Sequence, residues 1–214
     1  MREIFGMELG TQTIEGFLST GFYNASFLIF MVIYCLIVAN QLLVTLVDRG
    51  SMAYLLTTPV ARKKVATTQA VVLVLSLFFI SALTTVTGLF GISVIVSDIE
   101  LQISTFLQIN VLAFFIFFVI GGYAFLFSSL FNETKWALAA SGGLTLIFYV
   151  LNIIVNSSAN VDWLKYFTLF SVFQPLEIVN GTMNTPLVIM SLGLVGGLLY
   201  ALSIIIFCKR DLPL

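Results

Sequence analysis

The sequence has no histidine, only two cysteines and few charges: nine Lys or Arg and ten Asp or Glu in 214 residues. Each shortage excludes something. Without histidine, and with Cys35 and Cys208 in or beside apolar runs, neither a Cys/His metal site nor a disulfide framework is expected. Both cysteines read as small apolar fillers. A net charge of −1 offers nothing to nucleic acid. No charge falls in the middle of an apolar run, whereas ion-coupled carriers usually need buried carboxylates, imidazoles or cations. No His or Asp stands ready in those runs to activate a hydroxyl nucleophile. A proton- or sodium-driven carrier and an intramembrane enzyme are both disfavoured. No G-x-x-x-x-G-K-[ST] loop is present, so ATP is not bound here in the usual way. The opening MREIFGMELGTQTIEGF has no apolar core ahead of its acidic residues, so it is not a signal peptide.

What is present is apolar. Hydrophobic residues make up 60% of the chain, where a soluble domain would carry about a quarter charged residues. The expected fold class is all-α, a polytopic membrane helix bundle forming one domain over residues 1–214. Five runs reach the roughly 20 residues a span requires. They lie at about 25–47, 67–96, 105–131, 136–155 and 186–208. Basic residues set the orientation. With the polar segment 48–66 in the cytosol and the spans alternating, Arg49, Arg62, Lys63, Lys64, Lys135, Lys209 and Arg210 fall inside. Only Arg2 and Lys165 fall outside, a clear positive-inside bias.

The segment Asp48 to Ala66, DRGSMAYLLTTPVARKKVA, is the most polar stretch between two long apolar runs. Ser51 is a plausible N-cap for a short helix. Met52, Leu55 and Leu56 share one face of it. Pro59 should end it near Thr58 and open a second helix that runs into the next span. Arg62, Lys63 and Lys64 then fall in that helix's first turn, where the dipole disfavours them. Cytoplasmic placement of basic residues is what favours them there.

The same residues carry a resemblance. D-R-G-S-x-x-x-L-L-x-x-P-V-A-R-K-K resembles the segment after the second span of ABC-2 type transporter permeases. That family usually shows an acidic residue, Gly-Thr or Gly-Ser, a Leu-Leu pair and Pro-Val-Ser-Arg. The resemblance covers nearly the whole chain, from about Ile4 to the end. It implies that 48–66 is a coupling helix docking on an ABC ATPase subunit, through Asp48, Arg49, Gly50, Ser51, Met52, Leu55, Leu56, Pro59 and Arg62. It implies an exporter permease, not itself an enzyme, that pairs with a second permease as a homodimer or heterodimer. ATP and Mg²⁺ would sit on the ATPase, with no cofactor in this chain. The implied location is the bacterial cytoplasmic membrane, with residues 156–185 external. Family members typically have six spans, and an external F-G-M-x-L ahead of the second. Here F-G-M-E-L stands at Phe5–Leu9. The chain therefore looks like a member lacking its first span. The alternative to a basic coupling helix is a loop that only fixes topology.

Residues 156–185 mix Trp163, Tyr166, Phe167, Phe170 and Phe173 with Asp162, Lys165 and Glu177. Such aromatics favour the membrane interface. One or two short external helices, interfacial or re-entrant, are expected, against the plainer reading of an ordinary loop. Asn40, Gln41, Gln69, Gln108, Asn110 and Asn152 lie in or near spans. In lipid they should find helix partners or a wet cavity. Hydrogen bonding between helices is the favoured role, with Asn110 and Asn152 as candidates for a substrate path. Gly121-Gly122, Gly142-Gly143 and Gly193-x-x-Gly196-Gly197 would allow close helix approach. The cargo is not readable beyond an amphipathic or hydrophobic character: lipid, peptide, drug or glycan. Rival classes are a non-transporting membrane scaffold and a passive channel; an ATPase gene alongside would separate them from a transporter.

Overall fold

A computed structural model describes residues 27–52, 60–95, 103–157, 163–164, 167–179 and 182–210. The described residues form helices and turns only. In chain order the helices are α1 Leu28–Leu42, α2 Val44–Asp48, α3 Arg62–Ile95, α4 Ile103–Leu130, α5 Thr134–Ser157, α6 Pro175–Val179 and α7 Thr185–Lys209. Five stretches among them are long and apolar enough to cross a membrane: Leu28–Asp48, Arg62–Gly91, Ile103–Leu130, Thr134–Ser157 and Thr185–Lys209. The shortest has 21 residues, which at about 1.5 Å each matches the roughly 30 Å hydrocarbon core. Among the described residues the expected all-α fold, with five helices long and apolar enough to span a membrane, is the one observed. Large apolar side chains point outward, Phe79 at 68% exposure and Phe30 at 72% among them. Hydrocarbon is the solvent that suits such a surface.

α3 starts at Arg62, later than the opening at Pro59 that the sequence suggested, and its first turn holds all three consecutive cations; residues 60 and 61 are not helical, and Pro59 lies outside the described residues. Pro175 is the first residue of α6 and Pro186 the second of α7, positions where a missing N–H costs nothing.

The chain divides into two compact units, each drawing on a stretch of every long helix. The first comprises Met1–Met31, Phe78–Ile116 and Leu146–Met190. In it Phe78 and Phe114 meet edge to face at 6.2 Å, and Phe106 lies so close to Gly88 that a Cβ there would fall 2.7 Å from the ring. The aromatic stretch closes onto α5: Thr168 donates to the Phe148 carbonyl at 2.8 Å, and Phe170 packs on Tyr149. Phe170 and Phe173 are buried, while Trp163 and Phe167 are exposed and pair edge to face. Of the one or two short helices expected within 156–185, the described residues show a 3-10 turn at Phe170–Val172 and α6.

The second unit comprises Val32–Leu77, Phe117–Thr145 and Ser191–Leu214. Its core is built from Leu43, Leu73, Leu77, Ile120, Phe125 and Phe207 together with small residues, Ala39, Ala66, Ala124 and Ala137. The small residues let backbones approach. A Cβ on Gly122 would stand 3.2 Å from Leu199 Cβ, and one on Gly196 would lie 2.4 Å from the Phe118 ring. Gly121, Gly122 and Gly196 therefore serve the packing role read from sequence. Gly142, Gly143 and Gly197 do not: nothing stands within 4 Å of a Cβ at any of them.

Candidate functional site

The second unit holds, at its charged end, the described residues of the predicted coupling segment: Asp48, Arg49, Gly50, Ser51, Met52 and Arg62. Its foundation is an interruption of the first span. In a regular helix the Val44 N–H would donate to the Asn40 carbonyl. Instead it donates to Ser128 Oγ on α4 at 2.8 Å, and Thr45 Oγ1 donates to the Asn40 carbonyl at 3.1 Å. Leu43 sits between at φ −124°, ψ −64°, and the Leu46 N–H reaches back only three residues, to the Leu43 carbonyl. A side chain entering the ladder is a recognised cause of a helix break. α2 thereby becomes a short piece distinct from α1.

α2 stops at Gly50. Its φ of +69° is a conformation that glycine adopts without a Cβ penalty, and its N–H donates to the Val47 carbonyl at 3.0 Å. Gly50 is thus a helix terminator. Ser51, expected as an N-cap, is already helical with Met52. Met52, expected on an apolar face awaiting an outside surface, is only 1% exposed, so this chain itself covers it. Leu55, Leu56 and Pro59 lie outside the described residues. Arg49 is exposed beside the carbonyl end of α2, where a cation is favoured.

Three ties connect helix ends. Asp48 Oδ2 accepts from Thr134 N–H at 3.1 Å and from Thr134 Oγ1 at 2.7 Å. A carboxylate thus caps the first residue of α5, and it suits the positive end of that helix. Arg210 Nη1 donates to the Ser129 carbonyl at 2.7 Å and the Phe131 carbonyl at 3.0 Å, and Nη2 donates to Asn132 Oδ1. A guanidinium thereby satisfies the orphan carbonyls at the end of α4. Those partners are neutral and the site is partly buried, which lowers the Arg210 pKa from its ordinary value. Arg62 Nη1 donates to the Arg210 carbonyl at 3.1 Å, so the start of α3 holds the end of α7. Lys135 pairs with Glu133 at 2.7 Å, both largely exposed.

Deeper in this unit a polar cluster links helices. Asn40 Nδ2 donates to the Leu36 carbonyl at 2.7 Å and lies 3.5 Å from Ser141 Oγ. Tyr123 and Thr145 share a hydrogen bond, and Ser203 donates to the Phe125 carbonyl. Asn40 fits the expected interhelical role. Asn110, in the first unit, is buried and donates to the Phe106 carbonyl of its own helix at 2.9 Å; Asn152 is half-buried. Among the described residues there is no group of three or more His, Cys, Asp or Glu able to hold a metal.

Sequence reasoning found Asp48, Gly50 and Arg62 but missed Thr134, Ser128 and the donor role of Arg210. The Asp48–Thr134 and Val44–Ser128 contacts span 86 and 84 positions. Thr134 did carry one signal, since it follows the polar turn Asn132-Glu133 that a helix start favours.

The family described as ABC-2 family transporter protein matches residues 4–212. No curated protein and no solved structure matches the chain. The match covers nearly all of the sequence, and the chain belongs to the ABC-2 transporter family.

Proposed function

We propose that, as an ABC-2 family membrane component, this chain is the permease subunit of an exporter driven by a separate ATPase. In this reading residues 48–66 lie in the cytosol and dock on the ATPase subunit, which holds the ATP and Mg²⁺. Two permeases, alike or different, pair in the bacterial cytoplasmic membrane, and residues 156–185 face outward. The cargo is amphipathic or hydrophobic, in keeping with spans that carry no charge in their middles.

The observation that carries this reading is the set of ties around 48–66. A docking segment transmits force only if it is anchored. Met52 is buried, Asp48 caps α5, and Arg62 holds the Arg210 carbonyl. Displacing the segment therefore loads the starts of α3 and α5 and the end of α7 directly. A loop that only fixed topology would need its charges but none of these bonds. Arg49 and Ser51 flank the helix stop at Gly50, and in this reading Leu55 and Leu56 are the residues that meet the ATPase.

Purifying the tagged chain from its native membranes tests the proposal. A bound protein that hydrolyses ATP is the expected result. Burying a leucine contributes roughly 1.5–3 kcal/mol, and an unpaired charge in its place opposes docking further. Leu55→Asp should therefore leave the chain inserted and lose the ATPase, while Arg62→Ala, which loses one part-buried bond to a neutral carbonyl, has the milder effect. An ATPase retained at wild-type level by Leu55→Asp would reduce the segment to a topology signal. No ATPase on the wild-type chain would favour a scaffold instead.

A further inference from the structure

The start of α3 holds more positive charge than its unit balances. In the second unit the two described carboxylates are engaged, Asp48 with Thr134 and Glu133 with Lys135. Arg62 is turned to the Arg210 carbonyl. Lys63 and Lys64 are exposed, with no partner among the described residues. They also stand at the end of α3 whose dipole disfavours cations. An external anion would reverse both penalties at once, since helix starts favour phosphates.

The residues below them say what kind of anion. Thr67 and Thr68, about one turn further on, are exposed. Val71 and Leu75 follow, 49% and 59% exposed. At 3.6 residues per turn Lys64, Thr68, Val71 and Leu75 fall on one face, with Lys63 and Thr67 beside it. That face runs from cations through hydroxyls to hydrocarbon. From Lys64 to Leu75 it descends about 16 Å, close to half of the roughly 30 Å hydrocarbon core. A free phosphate would use only the top of this face. An acidic protein surface would leave its lower half unexplained. A single phospholipid in one leaflet matches all of it.

We propose that this face of α3 binds an anionic phospholipid: Lys63 and Lys64 hold the headgroup phosphate, Thr67 and Thr68 donate to the ester carbonyls, and an acyl chain lies along Val71 and Leu75. Lys63 and Lys64 lie at the end of the segment 48–66 but are not among its named docking residues, and lipid binding can be measured without the ATPase.

Native mass spectrometry of the purified chain tests it, with phosphatidylglycerol and phosphatidylcholine of equal chain length as probes. The wild-type chain should bind phosphatidylglycerol more tightly. Each juxtamembrane lysine contributes about a fivefold factor near an anionic headgroup, so K63Q/K64Q should weaken phosphatidylglycerol about 25-fold. Phosphatidylcholine should change little. Lys135→Gln, whose ammonium already pairs with Glu133, should leave the preference intact. Val71→Ser with Leu75→Ser should weaken both lipids alike. Equal binding of the two lipids overturns the proposal, as does an unchanged preference in K63Q/K64Q. Displacement of phosphatidylglycerol by millimolar inorganic phosphate overturns it in favour of a plain phosphate site. Loss of a co-purifying ATPase from K63Q/K64Q, with lipid binding unaltered, overturns it in favour of protein docking.

Discussion

Gly196 and Gly197 are neighbours on α7 with opposite surroundings, and comparing them isolates the cost of close helix approach. A Cβ on Gly196 would lie 2.4 and 2.6 Å from two atoms of the Phe118 ring. Carbon atoms in contact prefer about 3.5–4.0 Å, so the ring must move by about 1 Å or more. It cannot swing freely, because Tyr200 stacks on it at a centroid distance of 5.0 Å. Tyr200 in turn has its hydroxyl 2.7 Å from where a Cβ on Gly121 would stand. Overpacking of this kind costs about 1–3 kcal/mol. At Gly197 nothing stands within 4 Å. Both alanines gain the same helix propensity, about 1 kcal/mol, which cancels when the two variants are compared. Gly196→Ala should therefore be about 1–3 kcal/mol less stable than Gly197→Ala. Unfolding in detergent–SDS mixtures, followed by circular dichroism, measures the difference. Equal stabilities would mean that α4 and α7 do not meet backbone to backbone at Gly122 and Gly196.

Two further expectations concern the helix-end ties. Arg210→Ala should cost about 1 kcal/mol, the value of charge-assisted bonds discounted for partial exposure, and should speed amide exchange around Phe131–Glu133. Arg210→Lys should recover less than half of it, because one ammonium cannot serve the Ser129 and Phe131 carbonyls and Asn132 together. Asp48→Ala should raise amide exchange at Thr134, whose N–H loses its acceptor, with Asp48→Asn between it and wild type. Identical exchange in all three proteins would dissolve the link between α2 and α5.

The spans were legible because hydrophobic runs of membrane length leave few alternatives. Gly50 was legible as a motif residue, though not in its role as a helix stop, which follows from its backbone angle. The remainder depends on partners distant in sequence. Nothing within DRGSM reveals that Asp48 faces Thr134, or that Met52 turns inward. Periodicity assigned Met52 a face, but it could not say whether this chain or another protein covers that face. Gly142-Gly143 illustrates the same limit: a pair of small residues permits close approach without requiring it, and here no neighbour takes up the space.

Water repairs a bent helix by lending hydrogens and lone pairs to whatever the bend strands. Hydrocarbon lends nothing. The break at Leu43 therefore carries its own solvation: Ser128 stands where a water would accept from Val44, and Thr45 stands where one would donate to Asn40. Leu43 and Ser128 are almost fully buried, at 0% and 1% exposure, so protein groups rather than solvent serve the break at its centre. Straightening it would strand a buried hydroxyl. The bend is instead dictated from α4, 84 positions away. α2 acts as a short pointer about 7 Å long, pivoted on Leu43 and ending at Asp48. Its start is thus set by Ser128 on α4 and its end by Thr134 on α5, so α2 joins these two helices at their ends.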